Sequence, residues 1–449
     1  MKKVRIGAGS GYAGDRWEPA IELVEKGDIQ YLVFEALAER TIAREHLDRL
    51  SNPDKGYNPW LEARMRSVLP IAKQKGVKII TNMGAANPES AAKVVAEIAE
   101  ELNINNLRIA VVIGDNVSDI VSDFEDADII ETGQKLSTIQ DKIISANAYL
   151  GAEVISNALS TGADVVITGR TADPSLFLGA MIHALDWNYN DYQLIGQGSV
   201  IGHLMECAGQ ITGGYFADPG YKDVPNLEKL GFPICEVFED GSAFITKVAG
   251  SGGCITPATC KEQMLYEIHD PSSYITPDCI VDFTDVEFIE VEKDRIQVIG
   301  GKGKPRTSTY KVSVGYKNGY IGEGQMSYAG PGALERAKLA AQVVVDRLKI
   351  RNVAYKDLRV DFIGVQSLHG ESSNPFIEPY EVRLRVAGLT DSVEDAKLIG
   401  AEVETLLTNG PYGGAGDFKN VREIIGVLSI LLPRELVKTS IVVKEMITA

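Results

Sequence analysis

The sequence predicts an α/β protein, with a largely parallel sheet flanked by helices in its N-terminal part and a mixed α+β C-terminal part. Three observations predict it. Five short apolar runs alternate with helical segments over roughly the first 170 residues, the pattern of a parallel sheet built from crossover units. Each run ends in small or polar residues, as strands do where an open α/β sheet holds a ligand at their C-terminal ends. Beyond Gly220 the pattern shifts toward period-two alternation, which describes half-buried strands. The expected division is 1–220, an α/β domain with a site at the strand ends, and 221–449, a mixed α+β domain that completes the site.

The first run, Val4-Arg5-Ile6, leads into the glycine-rich segment Gly7 to Gly14, and Trp17 to Lys26 has helical spacing. Glycines between a first strand and a first helix let backbone N–H groups approach a phosphate or carboxylate. Ser10 and Gly11 are therefore candidate substrate contacts. The spacing is not that of the dinucleotide fingerprint, because Tyr12 and Ala13 stand where that pattern needs tight packing. A tight turn without a ligand explains the same glycines.

The second run, Ile29 to Phe34, ends in Glu35-Ala36-Leu37-Ala38-Glu39-Arg40-Thr41. Glu35 is a candidate acid or base, and Arg40 and Thr41 are candidate substrate contacts. The alternative is a solvated helix start with Glu39 and Arg40 as surface charges. Gly56 to Leu61 opens a helix near Pro59. Val77 to Ile80 is the third run, followed by Thr81 to Pro88 and an alanine-rich helix from Glu89; Asn82 and Gly84 face the same strand-end position, and Asn87 suits a helix cap. Leu107 to Ile113 is the fourth, ending in Gly114-Asp115-Asn116, where Asp115 is a second candidate acid or base. A helical stretch from Ala146 to Ser160 is expected next.

The fifth run, Val165 to Thr168, ends in Gly169-Arg170-Thr171-Ala172-Asp173. Arg170 matches carboxylate or phosphate oxygens bidentately, with Thr171 beside it, and Asp173 is a further candidate acid or base. Five parallel strands connected by right-handed crossovers bring these ends to one edge. A helix expected from Val200 onward, capped by Gly198-Ser199, carries His203, Glu206 and Cys207 at i, i+3 and i+4. Imidazole beside thiol would activate a thiolate, and imidazole beside carboxylate would relay a proton. Their bland counterparts are a core histidine and a small buried thiol.

The C-terminal part adds strands at Ser242 to Val248, Val281 to Val286, Arg295 to Ile299, Thr309 to Tyr316, Val360 to Val365 and Tyr380 to Val386, with helices at Leu334 to Leu348 and Val393 to Asn409. Glycine clusters at 249–253 and 410–416 are loops that close on a ligand or merely turn the chain. His369 with Glu371 is a further acid–base pair or an exposed loop histidine.

Composition excludes several classes. With 45 Lys and Arg against 62 Asp and Glu, a net charge of −17 opposes a nucleic-acid or anionic membrane surface, which needs a basic stripe. No apolar run approaches the roughly 20 residues of a membrane-spanning helix, and the Met1-Lys2-Lys3-Val4 start has no apolar signal core. Five cysteines without Cys-x-x-Cys spacing suit reduced thiols. A cytoplasmic location is expected.

The segments Gly9-Ser10-Gly11-Tyr12-Ala13-Gly14-Asp15-Arg16, Leu37 to Thr41, Gly56-Tyr57-Asn58-Pro59, Thr81 to Pro88, Gly169 to Asp173 and His203 to Ala208 together resemble the acyclic terpene utilisation (AtuA-like) family over nearly the whole chain. The resemblance implies catabolism of branched acyclic compounds through CoA thioesters, with a lyase or hydratase role supposed for members. Some members carry an extra small C-terminal domain, for which this chain has no room before Ala449, so a small separate subunit is an expected partner, as is a homo-oligomer.

These readings converge on a lyase or hydratase acting on a small hydroxylated carboxylic acid or acyl-CoA by proton abstraction next to a carbonyl. No cofactor is certain. One carboxylate ligating a divalent cation, magnesium or manganese, would stabilise an enolate-like intermediate. The rival expectation is a non-catalytic scaffold subunit that presents a CoA-linked intermediate; a dinucleotide oxidoreductase is disfavoured by the first glycine loop.

Overall fold

In the computed structural model, which describes residues 1–370 and 379–446, the five apolar runs become β1 (Lys3–Gly11), β2 (Tyr31–Glu35), β3 (Lys78–Thr81), β4 (Leu107–Ile113) and, after a further strand β5 (Ile143–Ala148), β6 (Val165–Ile167). Helices α1 (Glu18–Lys26), α2 (Glu39–Ser51), α3 (Leu61–Lys75), α4 (Pro88–Glu101), the short α5 (Ser118–Val121) and α6 (Ala152–Ser160) lie between them in sequence. β1, β2, β3, β6 and β4 pair parallel in that order. Their residues are almost wholly apolar because a parallel strand is covered on both faces: Ile6, Leu32, Val33, Ile79, Ile80, Ile109, Val111, Val165 and Val166 are all fully buried. The C-terminal ends of all five therefore share one edge.

The chain continues through α7 (Asp173–Leu185), α8 (Tyr192–Glu206), β7 (Pro233–Phe238), β8 (Ala243–Lys247), α9 (Pro257–Leu265), β9 (Tyr274–Ile275), β10 (Ile280–Asp282), β11 (Glu287–Glu292), β12 (Arg295–Ile299), β13 (Lys302–Lys304) and the long β14 (Thr309–Ala329). β7 adds antiparallel to β1, and β8, β12 and β11 follow outward. On the other edge β18 (Ser440–Met446) pairs antiparallel with β4. The result is one mixed sheet of ten strands, beside a small sheet of β13, β10 and β9.

Two compact units result, 1–315 with 427–449, and 316–426. Residue 220, where the sequence changes character, lies inside the first unit, because β7 hydrogen-bonds directly to β1 and continues its sheet. The second unit contains the rest of β14, α10 (Ala333–Ile350), β15 (Asp357–Ile363), β16 (Glu381–Thr390), α11 (Val393–Glu404), α12 (Leu406–Asn409) and the first part of β17 (Ala415–Pro433). Its sheet runs β15-β16-β14-β17, a split β-α-β order. Met326, Tyr328, Val382, Leu384 and Val386 from that sheet pack with Ala337, Val344, Ile399 and Val403 from the helices.

Three expectations are corrected. The stretch 146–160 is not one helix: β5 ends at Ala148, Gly151 breaks the chain, and α6 starts at Ala152 with its first N–H held by Asp278 Oδ1 at 2.7 Å. α8 starts at Tyr192, eight residues before Val200, because Asp191 supplies the cap to Leu194 N–H. The strand expected at Thr309 to Tyr316 runs on to Ala329, with Tyr320 to Ala329 paired to β16. Glu371 lies outside the described residues.

Candidate active site

β2 delivers Glu35 at its C-terminal end, 6% exposed. Its Oε1 accepts from the Leu37 N–H at 2.7 Å and from Asn82 Nδ2 at 3.1 Å, while Asn82 Oδ1 accepts from the Ala36 N–H. Asn82, just past the end of β3, thus locks the strand end of β2. Burial pushes the Glu35 carboxyl up to about 7; the two donors and the Arg170 charge resist the rise, and Glu206 adds to it.

β6 delivers Arg170, whose side chain is fully buried. Its Nη1 donates to the Leu37 carbonyl, its Nη2 donates to Asp173 Oδ1 at 3.0 Å, and its guanidinium lies 4.3 Å from the centre of the Tyr149 ring. Tyr149 donates to Glu39 Oε1 and accepts from Ser313 Oγ at 3.2 Å. Lys311 Nζ lies 3.6 Å from the same Glu39 oxygen. Burial opposes ionisation of Glu39, but Arg170, the Tyr149 hydroxyl and Lys311 overcome it and hold that carboxyl at about 2. Asp173, in the first turn of α7, moves the other way: burial raises it well above the ordinary carboxyl range despite Arg170, and Glu35, Glu206 and Glu39 raise it further.

α8 presents His203 and Glu206 one turn apart. His203 Nδ1 lies 2.7 Å from Glu206 Oε1, and Nε2 donates to the Met264 carbonyl at 3.1 Å. The rings of Tyr274 and Phe283 stand 5.8 and 5.5 Å from the imidazole. Burial works against the imidazolium, but Glu206 outweighs it and raises His203; burial likewise raises Glu206. Cys207 sits at the end of this helix, where burial and the Glu206 charge push its thiol far up. The imidazole addresses Glu206, so a His203-activated Cys207 thiolate is not what the helix builds.

These groups surround a cavity of about 670 Å³ whose wall includes Glu35, Glu39, Tyr149, Arg170, Asp173 and Glu206. Gly11 and Thr41 also line it, as do Cys207, Glu267, Tyr274 and Lys311. A Cβ at Gly11 would stand 2.4 Å from the Cys207 carbonyl carbon, so glycine is what lets β1 end against α8. The Gly11 N–H is held by Asp15 Oδ2 at 2.9 Å, so that amide is not free to cradle an anion.

The remaining candidates are supporting or lie elsewhere. Ser10 is buried and donates to the Glu35 carbonyl at 2.5 Å. Gly84 packs against the Thr168 carbonyl. Asp115 is buried behind the site, where its Oδ2 accepts from the Arg170 N–H at 2.8 Å and from Asn147 Nδ2 at 2.9 Å. A Cβ at Gly169 would stand 2.5 Å from that carboxylate. Asp115 therefore shapes the β6 turn and does not line the cavity. Thr171 is fully buried and its hydroxyl has no partner among the described residues. Arg40 is exposed and does not line the cavity. Tyr149, Lys311, Glu267 and Tyr274, none of them singled out in the sequence, do.

Among the described residues no group of three or more His, Cys, Asp or Glu side chains is placed to hold a metal ion, and no helix is long and apolar enough to cross a membrane. No curated protein matches the chain. Residues 4–443 match the family described as acyclic terpene utilisation family protein AtuA, and the chain belongs to that family.

Proposed function

We propose that the protein is a lyase or hydratase that acts on a small hydroxylated carboxylic acid or its acyl-CoA thioester by moving a proton next to a carbonyl. The observation that carries this reading is the convergence of Glu35, Asp173 and Glu206 on one cavity, with burial raising all three carboxyls. Such chemistry needs one carboxylate that accepts the α-proton and one carboxyl that donates a proton to the departing hydroxyl. Neighbouring carboxyls on one cavity wall, Glu35 and Glu206 buried and the Asp173 side chain about a third exposed, supply both forms at once, because charging one disfavours charging the next.

Two buried atoms on cavity-lining residues, without a partner among the described residues, match the substrate class: Arg170 Nε is a donor and Glu206 Oε2 an acceptor. A carbonyl oxygen is the partner that the first lacks, and a hydroxyl the partner that the second lacks. The wall is rich in carboxyls, and the cations among its described residues, Arg170 and Lys311, are already paired, with Asp173 and Glu39. Arg170 in this reading orders the carboxyls and offers one N–H. Dehydration then balances: the base takes the α-proton, the carbon–oxygen bond breaks, and the hydroxyl leaves as water with the proton from the acid.

The test is incubation with short 3-hydroxyacyl- and enoyl-CoA thioesters and their free acids, with and without magnesium or manganese, followed by mass spectrometry. Consumption of a thioester or acid that Asp173→Asn abolishes supports the reading. Stabilisation by a thioester that is recovered unchanged favours the scaffold subunit instead.

A further inference from the structure

Glu206 is 7% exposed, lines the cavity, and has one oxygen committed to His203 and one with no partner among the described residues. What that free oxygen offers depends on where the protons of the pair sit, and the surroundings of His203 settle it. Its Nε2 faces the Met264 carbonyl at 3.1 Å, and a carbonyl oxygen can only accept, so Nε2 carries a hydrogen. Nδ1 faces Glu206 Oε1 at 2.7 Å. A single proton on that line belongs either to Nδ1, leaving a carboxylate, or to Oε1, leaving a carbonyl-type oxygen at Oε2. With that one proton shared by the pair besides the hydrogen on Nε2, Oε2 presents lone pairs and no hydrogen in both cases. Tyr274 and Phe283 pack against the imidazole and against each other, their ring centres 5.8 and 5.5 Å from it and 5.7 Å apart.

We infer that Glu206 Oε2 is an acceptor-only subsite for the hydroxyl group of the substrate, and that His203 is the positioning residue that keeps it so. This rests on the reading of the cavity given above and sharpens it. The subsite takes a hydrogen-bond donor and rejects an oxo group or carboxylate oxygen at the same position, because two acceptors facing each other in a dry site leave both unsatisfied. It also removes Glu206 from the role of acid: the proton for a departing hydroxyl comes from Glu35 or Asp173.

Two measurements test this. The first uses the full-length protein labelled with 15N-histidine, the His203 signal being assigned among the five histidines by its loss in His203→Gln. A protonated Nε2 in the ligand-free protein is expected, and an unprotonated Nε2 would overturn the inference whatever the substrate proves to be. The second compares binding of 3-hydroxybutyryl-, butyryl- and 3-oxobutyryl-CoA. The hydroxyl form should bind roughly tenfold or more tightly than either of the others, about the value of one buried hydrogen bond. Glu206→Gln should keep that preference, since its amide N–H can meet Nδ1 and its oxygen the cavity, while Glu206→Met should lose it. Equal binding of the 3-oxo compound, or a preserved preference in a folded Glu206→Met protein, contradicts the subsite. Failure of all three thioesters to bind, with Nε2 protonated, counts against the acyl-CoA reading and leaves the acceptor geometry standing.

Discussion

Arg170 Nη2 donates to Asp173 Oδ1 at 3.0 Å across the first turn of α7, with the arginine side chain fully buried. The same guanidinium reaches the Leu37 carbonyl and covers the Tyr149 ring. Arg170 is thus the common neighbour of Glu35, Glu39 and Asp173, and its charge lowers the pKa of each.

Replacing it with methionine removes the planar fork and leaves those carboxyls without their shared counter-charge. Arg170→Met is expected to lose turnover and about 3 kcal/mol or more of stability, the range for breaking one partner out of a buried ion pair. Asp173→Asn keeps an oxygen for Nη2 and should fold normally while losing turnover. Denaturant unfolding and an activity assay on both variants check this pair of outcomes.

Glu35 gives a pH signature. Its folded pKa is about 7 against an ordinary 4.5, so between those values the folded state holds a proton that the unfolded state has released. Stability is then fully present below about pH 4.5 and declines as pH rises through 7, by an amount on the order of 3 kcal/mol. Glu35→Gln keeps an oxygen for the Leu37 N–H and Asn82 and abolishes the titration. It should melt several degrees above wild type at pH 8 and nearly with it at pH 4.5, while inactive. Identical pH–stability curves for the two proteins would show that Glu35 is not titrating there.

Much of this site was legible in the chain. The parallel core was readable because buried strands leave continuous apolar runs, and Glu35, Arg170 and Asp173 were readable as polar residues at the ends of those runs. Glu206 and His203 were readable as neighbours by helical spacing, although the spacing alone left open whether the imidazole served Glu206 or Cys207. Tyr149 and Lys311 were not readable, because each reaches the cavity through pairing of β5 with β14, far apart in sequence. Glu39 resembled a surface charge until Tyr149 and Lys311 were placed beside it.

Tyr149 can be probed by removing one atom. Tyr149→Phe leaves Glu39 Oε1 and Ser313 Oγ without their hydroxyl partner and should cost about 1–3 kcal/mol. Glu39 should then titrate above its present value of about 2, and the acid limb of the pH–activity profile should move upward. An unshifted limb in a folded protein would separate Glu39 from the active ionisation.

Cys207 should be chemically quiet. Its thiol is pushed far up by burial and by Glu206, so slow alkylation at neutral pH and turnover within a few-fold of wild type are expected for Cys207→Ala. Rapid modification accompanied by complete inactivation would restore it as a nucleophile.

The most direct measurement is deuterium uptake from D2O at the carbon next to the carbonyl of a bound 3-hydroxyacyl or saturated acyl-CoA thioester, read by mass spectrometry. It reports proton abstraction even where the full reaction does not proceed. Uptake by the wild-type protein that vanishes in Glu35→Gln and Asp173→Asn is the predicted result. A thioester that stabilises the protein against melting yet emerges with no deuterium and no change would contradict acid–base catalysis at this cavity.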